Sequence, residues 1–425
     1  MFEVIGLIGL LMDIFGKDPG TLETVSVLSW QDKPIFVLPQ QPDPVGQKIV
    51  KNYVQSLSRK GIATGHQGVW LQTDFANLAN HQGTTPVTAA SLTKIATTLA
   101  ALQKWGTDHR FETRVYVDGE IKAGVLQGDL IIQGGADPFF VWEEAMSMGN
   151  ALNELGIRQV TGNLVITDKF YMNYNANAQR AGQLFKQGLD SRLWSGAAAT
   201  QYRTLPPGTP RPQVRIQGQV VVQARIEGSP QLLLRHQSMT LAEILKQMNI
   251  FSNNKMSEML AQGAGGAQEV AKIAAQAARV PQEEIRLVNG SGLGLGNRIS
   301  PRAATAMLLA IERLLMREPL NVTDLFPVAG RDRNGTMINR RIPGDTAVKT
   351  GTLAEVSALA GVLPTRDRGL VWFAIINHGA TIEQFRAQQD VFLQSLIQQW
   401  GSAPVSAIKV SNSQEWLGDP KRNLK

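Results

Sequence analysis

Hydrophobic and polar positions change period several times along this chain. Gly68-Val69-Trp70-Leu71-Gln72-Thr73 and Ala76-Asn77-Leu78-Ala79-Asn80-His81 are two short runs around a polar break, which predicts a hairpin. Pro86-Val87-Thr88-Ala89-Ala90 then leads into Ile95-Ala96-Thr97-Thr98-Leu99-Ala100-Ala101-Leu102, an apolar, alanine-rich run without breakers that reads as a helix. Leu241-Ala242-Glu243-Ile244-Leu245-Lys246-Gln247-Met248 is amphipathic with helical spacing, and Met256-Ser257-Glu258-Met259-Leu260 opens a further helix. Toward the C-terminus, strands are predicted from about Asp345 to Leu353, Val356 to Leu363 and Gly369 to Asn377, followed by a helix near Ile382 to Trp400. The first and last strands thus meet in one antiparallel sheet with helices around it, an α+β class. Pro206-Pro207-Gly208-Thr209-Pro210-Arg211-Pro212 marks a turn or linker, and there is no internal repeat.

Onto this frame fall three short motifs in order: Ser91-Leu92-Thr93-Lys94, Ser252-Asn253-Asn254 and Lys349-Thr350-Gly351. Singly they differ in information. Average residue usage gives about two chance Ser-x-x-Lys matches in such a chain, and Ser252-Asn253-Asn254-Lys255 and Ser406-Ala407-Ile408-Lys409 also fit the pattern. Lys-Thr-Gly would arise by chance in about one such chain in ten and occurs here only at Lys349, so the ordered triple carries the signal. Ser91 and Lys94 stand three apart on one face of the predicted helix. A serine hydroxyl needs a base to become a nucleophile, and a lysine serves only if burial or a neighbouring cation destabilises its ammonium form; Lys349 is a candidate for that cation.

Ser252-Asn253-Asn254 sits at the junction of two predicted helices. There Ser252 can relay a proton to a leaving amine, and the Asn254 amide can bind a peptide backbone. Standing alone, the same residues would read as a helix cap and a turn. In the third motif, Gly351 lets a ligand backbone approach its strand. Lys349 supplies positive charge, Thr350 and Thr352 supply hydroxyls for a terminal carboxylate, and the backbone N–H groups of Ser91 and Thr352 can form an oxyanion hole.

With these residues in place, the chain resembles the low-molecular-mass class C penicillin-binding proteins, the D-alanyl-D-alanine carboxypeptidase/endopeptidase family, from about Gly68 to Gly379. Further marks of the likeness are Gly128-Asp129-Leu130, Gly134-Gly135-Ala136-Asp137-Pro138, Gly162-Asn163-Leu164-Val165-Ile166-Thr167-Asp168, Gly290-Ser291-Gly292-Leu293 and Pro327-Val328-Ala329-Gly330. The resemblance implies a penicillin-binding/serine β-lactamase-like transpeptidase domain, a five-stranded antiparallel sheet flanked by helices, with one inserted β-rich domain. The roles it implies are Ser91 as nucleophile, Lys94 as base, Ser252 as relay, and Asn254 and Lys349 as substrate-binding groups beside Thr350, Gly351 and Thr352.

The expected organisation is an apolar segment over 1–20, a discontinuous catalytic domain over 21–110 and 241–405, an insert over 111–240 and a C-terminal tail over 406–425. Family members often carry two domains between the first and second motifs, but the roughly 160 residues available here hold one. Gly294-Leu295 stands where Ser-Arg usually follows the Gly-Ser-Gly-Leu mark, and Arg333-Asn334 lengthens the loop after Asp332. These changes bear on recognition of the peptide stem more than on acylation.

Composition narrows the reading further. Of the 425 residues 43% are hydrophobic and 18% charged, enough for a full core and about two or three domains. The absence of cysteine excludes disulfides, thiol nucleophiles and thiolate metal sites. The five histidines lack metalloprotease spacing, no Gly-x-Ser-x-Gly elbow is present, and no metal or cofactor is implied. The glycine run from Gly290 to Gly296 lacks a phosphate-loop ending and reads as a flexible loop edging the cleft. A formal charge of +7 suits an anionic cell wall; without basic runs interleaved with aromatics, nucleic acid is not an expected partner.

Val4-Ile5-Gly6-Leu7-Ile8-Gly9-Leu10-Leu11-Met12 is flanked by Glu3 and Asp13 and is too short to span a bilayer. It fits an interfacial segment touching a membrane peripherally, a core strand or a misassigned start better than a signal peptide. Periplasmic or wall-facing localisation is an expectation from the resemblance. The activity it implies is a serine-type D-Ala-D-Ala carboxypeptidase/endopeptidase on peptidoglycan stem peptides, working through an acyl-enzyme, with β-lactams as covalent inhibitors. The alternatives are a β-lactamase-like hydrolase, for which no deacylating base stands at a recognisable position, and a non-catalytic wall-binding or β-lactam-sensing protein, which would be expected to lose Ser91 or Lys94.

Overall fold

The computed structural model describes residues 42–403 and 415–425; the apolar N-terminal segment and the Ser406 to Lys409 motif lie outside them. Asp43 caps the first described helix, α1 (Pro44–Ser58), by accepting the Gly46 N–H at 2.8 Å, and proline sits in its first turn. The predicted hairpin follows as β1 (Gln67–Gln72) and β2 (Asn77–His81). A two-residue strand β3 (Val87–Thr88) and a 3₁₀ turn over Ala90–Leu92 then deliver the chain into α2 (Thr93–Trp105). Every residue of α2 from Thr93 to Leu102 is buried, so this helix runs through the core rather than over it.

The chain then leaves for the insert. β4 (Glu112–Lys122) and β5 (Val125–Gly135) form a long hairpin, followed by α3 (Trp142–Glu154), β6 (Gln159–Val160), β7 (Leu164–Lys169), α4 (Ala178–Gly188), α5 (Gly196–Tyr202), β8 (Arg215–Ile216), β9 (Val220–Gln223) and β10 (Gln231–Gln237). This unit is richer in helix than a β-rich insert suggests, and its eight-stranded sheet is mixed: β5 pairs β7 and β7 pairs β9 in parallel, while β10, β4 and β5 run antiparallel. The motif marks here are joints. Asp129 Oδ1 accepts the Asn163 N–H at 2.6 Å, and a Cβ on Gly162 would sit 2.2 Å from that oxygen, so only glycine fits beside the β5–β7 seam.

The return to the catalytic domain is punctuated by a capping box, Thr240 with Glu243, that starts α6 (Leu241–Phe251). After it come α7 (Asn254–Gly263), α8 (Ala267–Ala278), β11 (Ile285–Arg286), β12 (Arg298–Ile299) and α9 (Pro301–Leu315). The chain closes the domain with β13 (Ala347–Leu353), β14 (Val356–Thr365), β15 (Gly369–His378) and α10 (Ile382–Trp400). The central sheet has the order β13-β14-β15-β1-β2. All its pairs are antiparallel, with Val69 opposite Ile375 and Lys349 opposite Ala360. Helices cover both faces: Ala358, Ala360, Trp372 and Ala374 face α2, α6 and α9, while Leu359, Leu363, Phe373 and Ile375 face α1 and α10. β14 is buried along its whole length for that reason.

Residues 415–425, expected as a tail, join the insert: β16 (Asn423–Leu424) pairs antiparallel with β10. Arg422 clasps the buried Glu144 with Nη2 2.6 and 2.8 Å from its oxygens and donates through Nη1 to the Gln237 carbonyl at 2.9 Å. His236 lies 3.3 Å from Glu144 and 2.8 Å from Asn423 Oδ1. Burial lowers its pKa below the usual histidine value, more than Glu144 raises it. Removing the guanidinium leaves Glu144 buried with only the His236 ring beside it, whose charged form burial disfavours. Arg422→Ala should therefore destabilise the insert by about 3–5 kcal/mol, read from native-state hydrogen exchange in β4 and β10. A loss of less than about 1 kcal/mol would show the clasp to be dispensable.

Asp137 is buried beside this cluster. Desolvation pushes its carboxyl up from 3.8 to about 7 against the Phe139 N–H it accepts, Glu144 adds to the rise, and Arg422 opposes it. A raised carboxyl favours the folded state while protonated, so its contribution is complete below pH 3.8 and is lost as pH rises through about 7. Asp137→Asn should therefore narrow the stability gap between pH 5 and pH 8 measured by urea denaturation; an unchanged gap would place the titration elsewhere.

Candidate active site

The three motifs converge although α2, the α6–α7 junction and β13 are far apart in sequence. Ser91 sits in the 3₁₀ turn before α2, half-buried, after Ala90 in the left-handed region at φ 48°. That conformation is uncommon for a residue with a Cβ and is held by tertiary contacts. Lys94, one helical turn on, is 0% exposed, and its Nζ donates to Ser91 Oγ at 3.1 Å, Asn254 Oδ1 at 2.7 Å and the Ser291 carbonyl at 2.7 Å. Burial lowers its pKa from 10.5 to about 7; the negative charge of Glu258 pulls the other way. The amine is thus poised to give and take a proton near neutrality while touching the hydroxyl it would activate.

Ser252 is the C-cap of α6 in a left-handed conformation, φ 52° and ψ 41°, and Asn253 caps α7 by accepting the Met256 N–H at 3.1 Å. The predicted junction is therefore a sharp corner that turns Ser252 toward β13, where Lys349 Nζ donates to its hydroxyl at 3.0 Å and to the Thr350 carbonyl at 2.9 Å. Lys349 is also 0% exposed. Burial holds its pKa well below the usual lysine value, and repulsion from Lys94 lowers it further. With its Oδ1 committed to Lys94, Asn254 keeps its amide N–H groups as donors for a ligand carbonyl.

β13 is an edge strand, and the chain before it covers part of that edge: Val348 donates its N–H to Pro327, and Ala329 donates to the Thr346 carbonyl. This is the local role of the Pro327-Val328-Ala329-Gly330 mark. Because N–H direction alternates along a strand, Thr350 and Thr352 turn their backbone groups to the same open edge, beyond the covered part. The Thr352 N–H is therefore available beside Ser91, as an oxyanion hole requires. A Cβ on Gly351 would lie 3.0 Å from Ser91 N and from the Ala89 carbonyl, so glycine brings the strand against the nucleophile turn. Thr350 Oγ1 donates to Thr336 Oγ1 at 2.7 Å, and the exposed Thr352 hydroxyl accepts from Arg386 Nη2 at 3.0 Å.

The glycine run departs from its expectation as a flexible loop. Gly290 and Ser291 donate their N–H groups to Glu258 at 3.0 Å each, and the Gly290 carbonyl accepts Thr97 Oγ1 and Ser257 Oγ at 2.7 Å each. A Cβ on Gly292, at φ 85°, would fall 1.9 Å from the Ala90 carbonyl. The run is the wall that carries an acceptor for Lys94, and only Leu293 to Gly296 edges the cleft, with Leu293 and Leu295 exposed. Sequence reasoning missed Glu258, Thr97 and the Ser291 carbonyl. The available hint was the spacing of Glu258, one helical turn after Asn254 on the same face.

The model of the D-Ala-D-Ala carboxypeptidase 3 (S13) family matches residues 57–180 and 211–396. D-alanyl-D-alanine carboxypeptidase DacB of Haemophilus influenzae is 23% identical over 390 residues, covering 69% of this chain and 80% of that protein. The D-alanyl-D-alanine carboxypeptidase of an Actinomadura species is 26% identical over 439 residues, covering 78% of this chain and 80% of that protein. Among solved structures, the penicillin G-acylated predatory endopeptidase of Bdellovibrio bacteriovorus in complex with an immunity protein superposes with a TM-score of 0.70 at 22% identity, covering 81% of this chain and 95% of that one. Penicillin-binding protein 4 of H. influenzae with a bound β-lactam gives 0.59 at 21%, covering 82% and 99%. The fold is the penicillin-binding/serine β-lactamase-like one.

The paired lysines give a pH test. Acylation through Lys94 requires its neutral form, so the acylation rate should rise with pH through about 7. If Lys349 carries charge beside it, Lys349→Gln removes a depressing cation and moves that acid limb to higher pH, measured with saturating penicillin by stopped-flow acylation. An unmoved limb with only weaker binding would show that Lys349 does not tune the base.

Proposed function

The chain belongs to the D-Ala-D-Ala carboxypeptidase 3 (S13) family, a family of serine-type hydrolases, and on that premise we propose that it removes the terminal D-alanine, or opens a D-amino-acid cross-link, in peptidoglycan stem peptides by way of an acyl-enzyme. The observation that carries the reading is a fully buried Lys94 with its amine 3.1 Å from Ser91 Oγ. Neutral Lys94 takes the Ser91 proton as Oγ attacks the carbonyl of the penultimate D-alanine. The oxyanion is met by the N–H groups of Ser91 and Thr352, held in place by backbone structure. Ser252, bonded to Lys349, relays to the departing amine the proton that Lys94 took from Ser91, while the C–N bond breaks. Asn254 holds the peptide carbonyl, and Lys349, Thr350 and Thr352 meet the carboxylate of the leaving residue. Water then attacks the ester and gives its proton to Lys94, which passes it to Ser91 Oγ as the ester C–O bond breaks and the free acid leaves.

β-Lactams enter the same route and stop at the ester when no group activates water against it. Glu258, the acid whose charge reaches Lys94, has its two oxygens engaged by Gly290 and Ser291, which argues against its serving as a deacylating base. This favours a peptidase over a β-lactamase-like hydrolase. A cell-wall-facing or periplasmic site of action follows from the substrate, and the charge of +7 suits an anionic wall.

Mass spectrometry after incubation with penicillin should find one adduct on Ser91, lasting minutes or longer. Ser91→Ala should lose both the adduct and hydrolysis of D-Ala-D-Ala peptides. Fast turnover of a chromogenic β-lactam would move the assignment to a β-lactamase, and an adduct on Ser252 would displace the nucleophile.

A further inference from the structure

The wall that carries the acceptor for Lys94 is fastened on every side. Gly290 and Ser291 own four backbone polar groups. Both N–H groups donate to the Glu258 carboxylate at 3.0 Å, one to each oxygen, and the Gly290 carbonyl accepts Thr97 Oγ1 and Ser257 Oγ at 2.7 Å each. The fourth group, the Ser291 carbonyl, takes Lys94 Nζ at 2.7 Å. Three groups held by side chains therefore fix the direction of the one that meets the amine. Little slack remains around them. The Gly292 N–H donates to Asn289 Oδ1 at 2.8 Å, and a Cβ on Gly290 would lie 2.3 Å from the Ala261 Cβ of α7.

Glu258 suits this task by chemistry as well as by place. A carboxylate offers an acceptor at each oxygen and can take both N–H groups; a glutamine of the same shape would turn an N–H against one of them. On α7 it stands one turn after Asn254, whose Oδ1 gives Lys94 another acceptor at 2.7 Å. One helix thus holds the amine twice, directly through Asn254 and indirectly through the wall. The charged side chains that bear on Lys94 among the described residues are Glu258 from α7 and Lys349 from β13; the 3₁₀ turn brings the Ser91 hydroxyl, and the wall brings a carbonyl. The hydrogen bonds of Glu258 go to the wall, so it acts on the lysine–serine couple through other groups.

We propose that Glu258 is a positioning residue for the Lys94–Ser91 couple: through Gly290 and Ser291 it aims the carbonyl that holds the lysine amine against the serine hydroxyl. The inference rests on the proposed acyl-enzyme reading and deepens it. With the tether cut, the Ser291 carbonyl can turn away, and Lys94 Nζ keeps Asn254 but loses the acceptor that opposes it. The amine then swings off Ser91 Oγ, and a base displaced by a fraction of an ångström takes the proton less often. The competing reading is a structural tie between α7 and the loop, which would change the amount of folded protein and leave the proton chemistry of the folded part alone.

The test follows acylation of the full chain by saturating penicillin across pH, with the folded fraction of each protein set by circular dichroism. Glu258→Gln keeps the shape but loses the charge and one acceptor. Its plateau rate per folded molecule should fall about tenfold or more. Its acid limb should move to lower pH, because the anion that raises the proton affinity of Lys94 is gone. Glu258→Asp keeps the charge but stops one methylene short of the wall, so its plateau should fall while its limb stays nearer that of wild type. A wild-type plateau in either variant overturns the positioning role, and an unmoved limb in Glu258→Gln reduces Glu258 to a structural tie. If Glu258→Gln does not fold, the plateau of Glu258→Asp decides. Wild-type protein that is not acylated at Ser91 removes the proposed function and the positioning role together, whereas an acylated wild type matched by both variants sinks the positioning role alone.

Discussion

The catalytic domain is arranged around one amino group kept out of water. Moving an ammonium into the interior costs several kcal/mol even after relaxation, and a lone lysine in a helix core would turn outward or break the packing. Lys94 stays because three acceptors close on it: Ser91 from the 3₁₀ turn before its helix, Asn254 from the α6–α7 corner and the Ser291 carbonyl from the glycine wall. These are the segments a nucleophile, a relay and a ligand need near one another. Satisfying Lys94 therefore assembles the candidate site, and each supporting piece is in turn fixed. Glu258 holds the wall by two N–H groups, and the Ala89 N–H at the nucleophile turn donates to the Asn297 carbonyl.

That convergence asks for unusual backbone at the two hydroxyl-bearing points. Ala90 at φ 48° and Ser252 at φ 52° each carry of order 1–3 kcal/mol of conformational strain. Neither is relieved by a glycine; the glycines stand opposite, where Gly292 and Gly351 let neighbouring backbone come within reach of the turn at Ala90 and Ser91. Strain is thus kept on the residues that react or precede the reacting one, and conformational freedom is given to those that make room. Thr93 Oγ1 donating to the Ala90 carbonyl at 2.9 Å and the Ser252 N–H donating to the Met248 carbonyl lock the two corners.

What could be read from the sequence divides along the same line. Strands β13 to β15 and helix α10 were legible because their periods and breakers are local, and the ordered motifs singled out Ser91, Lys94, Ser252, Asn254 and Lys349, which the geometry brings together. The glycine wall was misread because a glycine-rich run signals freedom in isolation; only the Ala90 carbonyl 1.9 Å from a Cβ on Gly292 reveals that the freedom is spent on contact. The docking of 415–425 was invisible for a related reason. Arg422 and Asn423 belong to no periodic pattern, and Asn423 meets His236 across 187 residues. The parallel pairs of the insert likewise depend on non-local register, which no short window contains.

The remaining question of proton placement follows from the same burial. Lys94 touches Ser91 and Lys349 touches Ser252, so two buried lysines each pair with a serine at this site. Two ammonium ions there would add their repulsion to two desolvation penalties, while two neutral amines would leave the carboxylate of a ligand without a cation; one proton shared between the pair avoids both. The asymmetry of their surroundings decides where it rests. Glu258 raises the proton affinity of Lys94, whereas Lys349 gains no such anion among the described residues and lies well below its usual value. In the proposed reaction an incoming carboxylate supplies that charge to Lys349 and draws the proton toward it, which releases Lys94 as a base. On the proposed reading, binding and activation are then one electrostatic event.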